Sequence, residues 1–239
     1  MELPEDASAF DRRVVSGGLF DDEIAWLRSR RAALAERTGG PDDARALVAA
    51  HTISVYPDKW TGFGLTLPAS VSRAHVAAVT DPLELLKTSF AWGSGTRQAY
   101  GPHRLGEILV DAQPAKLDAA TAALQKDGPV AAYRVLLSGE HKIAGLGPAF
   151  FTKFLYFTDS SALILDKQLA AAMRRFWERR HTAGDPDPEW LWRPPTWSSY
   201  RYHVYLAFMT MAAARLSDSS EAWTTDLIER LLFGTPLPS

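Results

Sequence analysis

The stretch Lys142-Ile-Ala-Gly-Leu-Gly-Pro-Ala-Phe-Phe-Thr-Lys-Phe-Leu-Tyr-Phe157, followed shortly by Ala162-Leu-Ile-Leu-Asp166, decides how this chain is read. Glycines at 145 and 147 admit backbone conformations and close approaches denied to residues with a Cβ, so Lys142 to Gly147 reads as a tight hairpin. Pro148 suits the first turn of the apolar helix that follows. Upstream, Pro129 to Leu137 carries Val130, Tyr133, Val135 and Leu136 at helical spacing and stops at Ser138-Gly139. The pattern is therefore helix, hairpin, helix. Such a hairpin points backbone N–H groups at a helix mouth, where the macrodipole favours an anion, and a nucleic-acid phosphate meets that requirement. A Gly-Pro helix start with no ligand is the competing reading.

Outward from this stretch, apolar residues recur mainly at helical spacing, which predicts an all-α, mainly helical fold. Helices are expected at Asp21 to Arg37, stopped by Gly39-Gly40, and at Asp42 to Ala50. Others fall at about Ser70 to Val79, Asp81 to Phe90, Pro102 to Ala112 and Pro114 to Lys126. Further along they fall at Lys167 to Arg180, Ser198 to Leu216 and Glu221 to Phe233, with a polar, Pro-rich loop from Thr182 to Pro195. His51 to Tyr56 is the one short strand candidate, ended by Pro57 and the Trp60-Thr-Gly-Phe-Gly loop. No repeat or low-complexity tract appears. Residues 1–80 carry no recognisable motif, and residues 81–239 carry the hairpin and the Asp behind it.

The 239 residues are 46% hydrophobic and 23% charged, a composition able to bury one substantial core or two small lobes. The chain has no cysteine, which excludes disulfides, thiolate nucleophiles and Cys-ligated iron–sulfur clusters. The six histidines show no metal-ligand spacing, and no GxxxxGK or GxSxG motif occurs. No metal is expected. The acidic N-terminus does not read as a targeting peptide, and no apolar run is long enough to span a membrane, so the cytoplasm is the expected location. A net charge of −2 leaves a local basic face possible.

The run Ile143-Ala-Gly-Leu-Gly-Pro-Ala149, the apolar helix and Ile164-Leu-Asp166 resemble the helix-hairpin-helix (HhH-GPD) DNA glycosylase superfamily. In that family a similar glycine hairpin precedes an essential Asp, and the interval from Gly145 to Asp166 is of the expected kind. The segments Phe90-Ala-Trp-Gly-Ser-Gly-Thr-Arg97 and Trp197-Ser-Ser-Tyr-Arg-Tyr202 are similar to bacterial proteins with an 8-oxoguanine glycosylase (OGG) fold. The resemblance implies a two-lobed helical fold and a DNA glycosylase that hydrolyses the N-glycosidic bond of a damaged or modified base. An 8-oxopurine, or a modified base of foreign DNA in phage defence, is the implied substrate. The implied partner is double-stranded DNA with a flipped base, met by a monomeric, nucleoid-associated protein.

Carried over residue by residue, the resemblance makes Gly145, Gly147, Pro148 and Ala149, with Lys142, the grip on a DNA phosphate. It also implies a monovalent cation on the hairpin backbone, with no other cofactor. Asp166 becomes the catalytic carboxylate, although its place before Lys167-Gln-Leu also suits a helix N-cap. Strand-cleaving relatives place a lysine where this chain has Ala149. Lys153 lies one turn further on the same face and is either a second candidate for the catalytic group or a snorkelling core lysine. Base removal without strand cleavage is the favoured expectation. Trp92, Phe150, Trp197 and Tyr200 are the base-pocket candidates, and Arg97 and Lys167 are further DNA contacts. The basic bias of Lys167, Arg174, Arg175, Arg179 and Arg180 suits either a DNA groove or a solvated face. A non-catalytic DNA-binding module and a helical protein-interaction domain are the competing functions.

Overall fold

The computed structural model describes residues 1–39, 42–96, 100–218 and 221–233. Its helices, in chain order, are α1 (Ala9–Gly17), α2 (Asp21–Thr38), α3 (Ala44–Ala49), α4 (Arg73–Ala77), α5 (Pro82–Ser94), α6 (Tyr100–Leu109) and α7 (Pro114–Asp127). They continue as α8 (Pro129–Leu137), α9 (Pro148–Thr158), α10 (Lys167–Glu178), α11 (Pro188–Trp192), α12 (Ser199–Leu216) and α13 (Thr225–Leu232). The mainly helical class expected from periodicity is the class observed. Thr52–Ser54 (β1) and Ser70–Ser72 (β2) form a two-stranded antiparallel sheet, pairing Ile53 with Val71.

The chain packs as two compact units, one made of residues up to Val48 together with those from Leu165 on, the other of Ala49–Ile164. The division expected at residue 80 marks where motif content begins, whereas these units describe packing. In the first unit α1 packs on α12, α2 and α10 on α13, and α10 on α11. Phe176, Trp177 and Phe208 form its aromatic centre, with ring centroids 4.9 Å apart for Phe176–Phe208 and 5.4 Å for Trp177–Phe208. In the second unit α7 packs on α8, and α5 and α8 pack on α9. Its core joins Tyr133 to Phe151 at 4.8 Å, edge to face.

Three local expectations change. Ser70-Val71-Ser72 is strand rather than helix, because its backbone pairs with β1; Ser72 Oγ then accepts from His75 N and starts α4. The Thr182 to Pro195 loop contains α11, which Asp187 caps through Glu189 N and Pro188 opens. Helix α1 was not expected at all. Its signal is Ser8 three residues before Asp11, with the Ser8 hydroxyl accepting from Asp11 N at 3.0 Å, and Phe10 and Val14 on one buried face.

Candidate nucleic-acid interface and active site

In the second unit, the hairpin follows directly from the two helices that flank it. Helix α8 buries Ala132, Tyr133 and Leu136 and ends at Ser138, and α9 starts at Gly147 with Pro148 in its first turn. Ile143 and Leu146 anchor the hairpin in the core, while Lys142, Ala144, Gly145 and Gly147 face solvent. Leu146 N donates to Ile143 O at 3.1 Å and closes the turn.

The two glycines differ in what requires them. Gly145 has φ +77°, a conformation that favours glycine, and a Cβ there would lie 3.1 Å from Arg104 Nη2, which would have to shift. Gly147 has φ −89° and ψ 173°, which any residue adopts, and a Cβ there would meet nothing within 4 Å. Among the described residues, nothing asks for glycine at 147. The missing side chain leaves the mouth of α9 bare, and no side chain caps that helix. Among the described residues, the N–H groups of Gly145, Gly147 and Ala149 meet no acceptor. Such a cradle suits an anion approaching the helix N-terminus.

Three side chains that the sequence reading did not single out hold the hairpin. Asp111 Oδ2 accepts from Ala144 N at 2.8 Å, and its Oδ1 accepts from Lys116 Nζ at 2.7 Å. The same Lys116 Nζ donates to Lys142 O at 3.0 Å, and Arg104 Nη2 donates to Gly145 O at 3.1 Å. The hydrogen bond from Lys116, joined by the one from Ala144 N, holds the Asp111 carboxyl below its usual range. No motif announces these residues, because they come from α6, α7 and the turn between them.

Lys153 is only 5% exposed, and its stem runs past Gly93 of α5, where a Cβ would come within 2.6 Å of Cδ and 2.9 Å of Cε. Its Nζ donates to Ala149 O at 2.7 Å and lies 5.7 Å from the Phe150 ring centroid. The amine thus turns back along the helix to the level of Ala149. Phe150 is half-buried and stacks on Phe90 at 4.0 Å. Trp92 is a core residue between His51 and Phe157, with Arg73 over its ring at 5.4 Å. Arg97 lies outside the described residues.

The boundary between units falls between Ile164 and Leu165, one residue before Asp166. In the first unit Asp166 is half-buried, and its Oδ1 caps α10 by accepting from Gln168 N at 3.0 Å and Leu169 N at 3.2 Å. Lys167 is exposed on the first turn. The rest of the basic helix is mostly engaged within its own unit. Arg179 pairs with Asp22 at 2.6 Å and Glu23 at 3.0 Å, Arg180 with Glu23 at 2.6 Å, and Arg174 with Glu178 at 3.1 Å.

Trp197 is buried and donates from Nε1 to Trp192 O at 2.9 Å. Tyr200 is half-buried and lines a cleft of about 210 Å³ with Trp190, Leu191, Thr196, Ser198 and Arg201, a group that does not include Asp166. The Tyr200 hydroxyl donates to Asp11 Oδ2 at 2.6 Å and accepts from Ser8 N at 2.9 Å. Asp11 also accepts from Arg201 Nη1 at 2.8 Å and from Trp177 Nε1 at 2.9 Å. Burial alone would raise the Asp11 carboxyl, but the Arg201 charge and the hydrogen bonds from Arg201, Tyr200 and Ser8 outweigh it and hold it low. Tyr200 is thereby fixed as part of a structural network.

A glycine hairpin between two helices, followed by a carboxylate that opens the next helix, defines a helix-hairpin-helix protein. The chain belongs to the OGG-like family: the family model described as "Putative 8-oxoguanine DNA glycosylase OGG-like protein" matches residues 47–233, which include the hairpin and Asp166. No curated protein and no solved structure matches it. Helices α1 and α2 lie before the matched span, yet Asp11 and Glu23 tie them to α10 and α12. No helix among the described residues is long and apolar enough to cross a membrane.

Proposed function

We propose that this protein is a DNA glycosylase that removes a damaged or modified base by hydrolysing its N-glycosidic bond. The observation that carries the reading is Gly147, a glycine that neither its own backbone nor its surroundings require, at the mouth of an uncapped helix within the family match. The hairpin amides would hold a phosphate of the strand, with the α9 dipole adding to the attraction. Asp166 would stabilise the positive charge that grows on the deoxyribose as the bond breaks, activate water, or do both. Capping by Oδ1 and catalysis are compatible, because the cap fixes the side chain in one rotamer.

Lys153 is a donor to Ala149 O, so its amine sits beside the position that carries the lysine in strand-cleaving relatives. A lysine engaged as a donor favours electrostatic support over attack on the sugar, and base release without strand cleavage is the proposed outcome. The substrate class is an 8-oxopurine or another modified base, and the setting is the cytoplasm. Purified protein incubated with duplexes carrying a panel of modified bases, with released base and strand scission scored separately, tests the reading. Release of at least one base without scission is expected; no release from any duplex would overturn it.

A further inference from the structure

The Asp111, Lys116 and Arg104 contacts put two side-chain cations on hairpin carbonyls. Lys116 Nζ lies 3.0 Å from Lys142 O and Arg104 Nη2 lies 3.1 Å from Gly145 O, while the Ile143 carbonyl already closes the turn through Leu146 N. A monovalent cation on this backbone would have to sit beside an ammonium and a guanidinium that already donate to these oxygens, and their charges would repel it. The residues present do not fit such an ion. On the other edge, Asp111 takes the Ala144 N–H and also pairs with Lys116, so one carboxylate and one lysine join the hairpin's donor and acceptor sides. All three side chains come from α6, α7 and their connection, and α7 packs on α8 and α9, the helices that flank the hairpin.

We infer that Asp111, Lys116 and Arg104 are positioning residues that preorganise the hairpin with built-in charges, so that its grip on DNA does not depend on a bound monovalent cation. The inference rests on the reading of the hairpin as the DNA-backbone grip. Gly145 belongs to the same device: its positive φ favours glycine, and a Cβ there would lie 3.2 Å from Arg104 Cζ, so the guanidinium would have to shift to keep its approach to the carbonyl. The preformed loop would reduce the ordering that DNA binding must otherwise impose.

The test compares hydrogen exchange of the hairpin in the free protein with affinity for a duplex carrying a stable abasic analogue, in potassium and in tetramethylammonium chloride at equal ionic strength. Wild-type protein is expected to keep the same hairpin protection and to bind within about twofold in the two salts. Lys116→Met should lose protection over residues 142–147 and bind about tenfold more weakly, while the slope of log affinity against log salt stays unchanged. Lys116→Arg should retain both. A direct phosphate contact by Lys116 would instead lower the slope by about 0.9 and leave protection intact, which would overturn the inference. So would a wild-type hairpin that loses protection or affinity without potassium. If protection behaves as expected but no duplex is bound, the DNA reading fails and the brace stands.

Discussion

Gly147→Ala separates what the hairpin does for the protein from what it does for DNA. With φ −89° and ψ 173°, residue 147 is in extended backbone open to alanine, and the added methyl meets nothing within 4 Å. Replacing glycine by alanine at a compatible position stabilises by about 0.4–1 kcal/mol through the unfolded chain. Alanine is a poorer N-cap than glycine by about the same amount, so the net change in stability should be close to zero. On the proposed reading, the methyl would enter the space a phosphate would occupy. It would push the anion out of hydrogen-bond range of one or more amides, and each charge-assisted bond is worth about 1.5–3 kcal/mol. Affinity for an abasic-analogue duplex should therefore fall by about tenfold or more, with urea denaturation unchanged. A variant that binds as tightly as wild type would show that the bare helix mouth admits no phosphate.

Gly93→Ala should move Lys153, since the new Cβ would lie 2.6 Å from Cδ and the flexible stem must yield; stability measured by thermal unfolding should change by no more than about 1 kcal/mol, while single-turnover base release falls by up to about 10²-fold if the amine must be correctly placed. Glu23→Gln strips a fully buried carboxylate from Arg180 and Arg179, and denaturant titration should show a loss of about 3–5 kcal/mol. Asp11 titrates lower in the folded than in the unfolded chain, so the folded state binds fewer protons between the two values; its stabilisation is complete above about pH 4 and is lost as pH falls below that, and Asp11→Asn should flatten this acid limb in unfolding curves.

The helices that carry the hairpin were legible because their signals are local. Pro148 opens α9, Ser138 closes α8, and Asp166 caps α10, each within a turn of the residues it organises. Ser70–Ser72 escaped because three residues give no periodicity and the strand exists only through its partner at Thr52–Ser54. The site divides in the same way. Gly145, Gly147, Lys153 and Asp166 stood out by spacing, whereas Arg104, Asp111 and Lys116 act on the hairpin from residues 26 to 41 positions away in sequence. Trp92 and Trp197, base-pocket candidates by sequence, are both buried by tertiary packing that no local pattern announces.

On the proposed reading, Asp166 acts on the sugar and is more than a cap. Asn is as good an N-cap as Asp, so Asp166→Asn keeps the bonds to Gln168 N and Leu169 N and should leave folding and duplex binding intact. Single-turnover release of the modified base is the measurement. Release is expected to fall by about 10²-fold or more in Asp166→Asn at unchanged duplex affinity. Release at the wild-type rate would contradict that reading and leave Asp166 with its structural role alone.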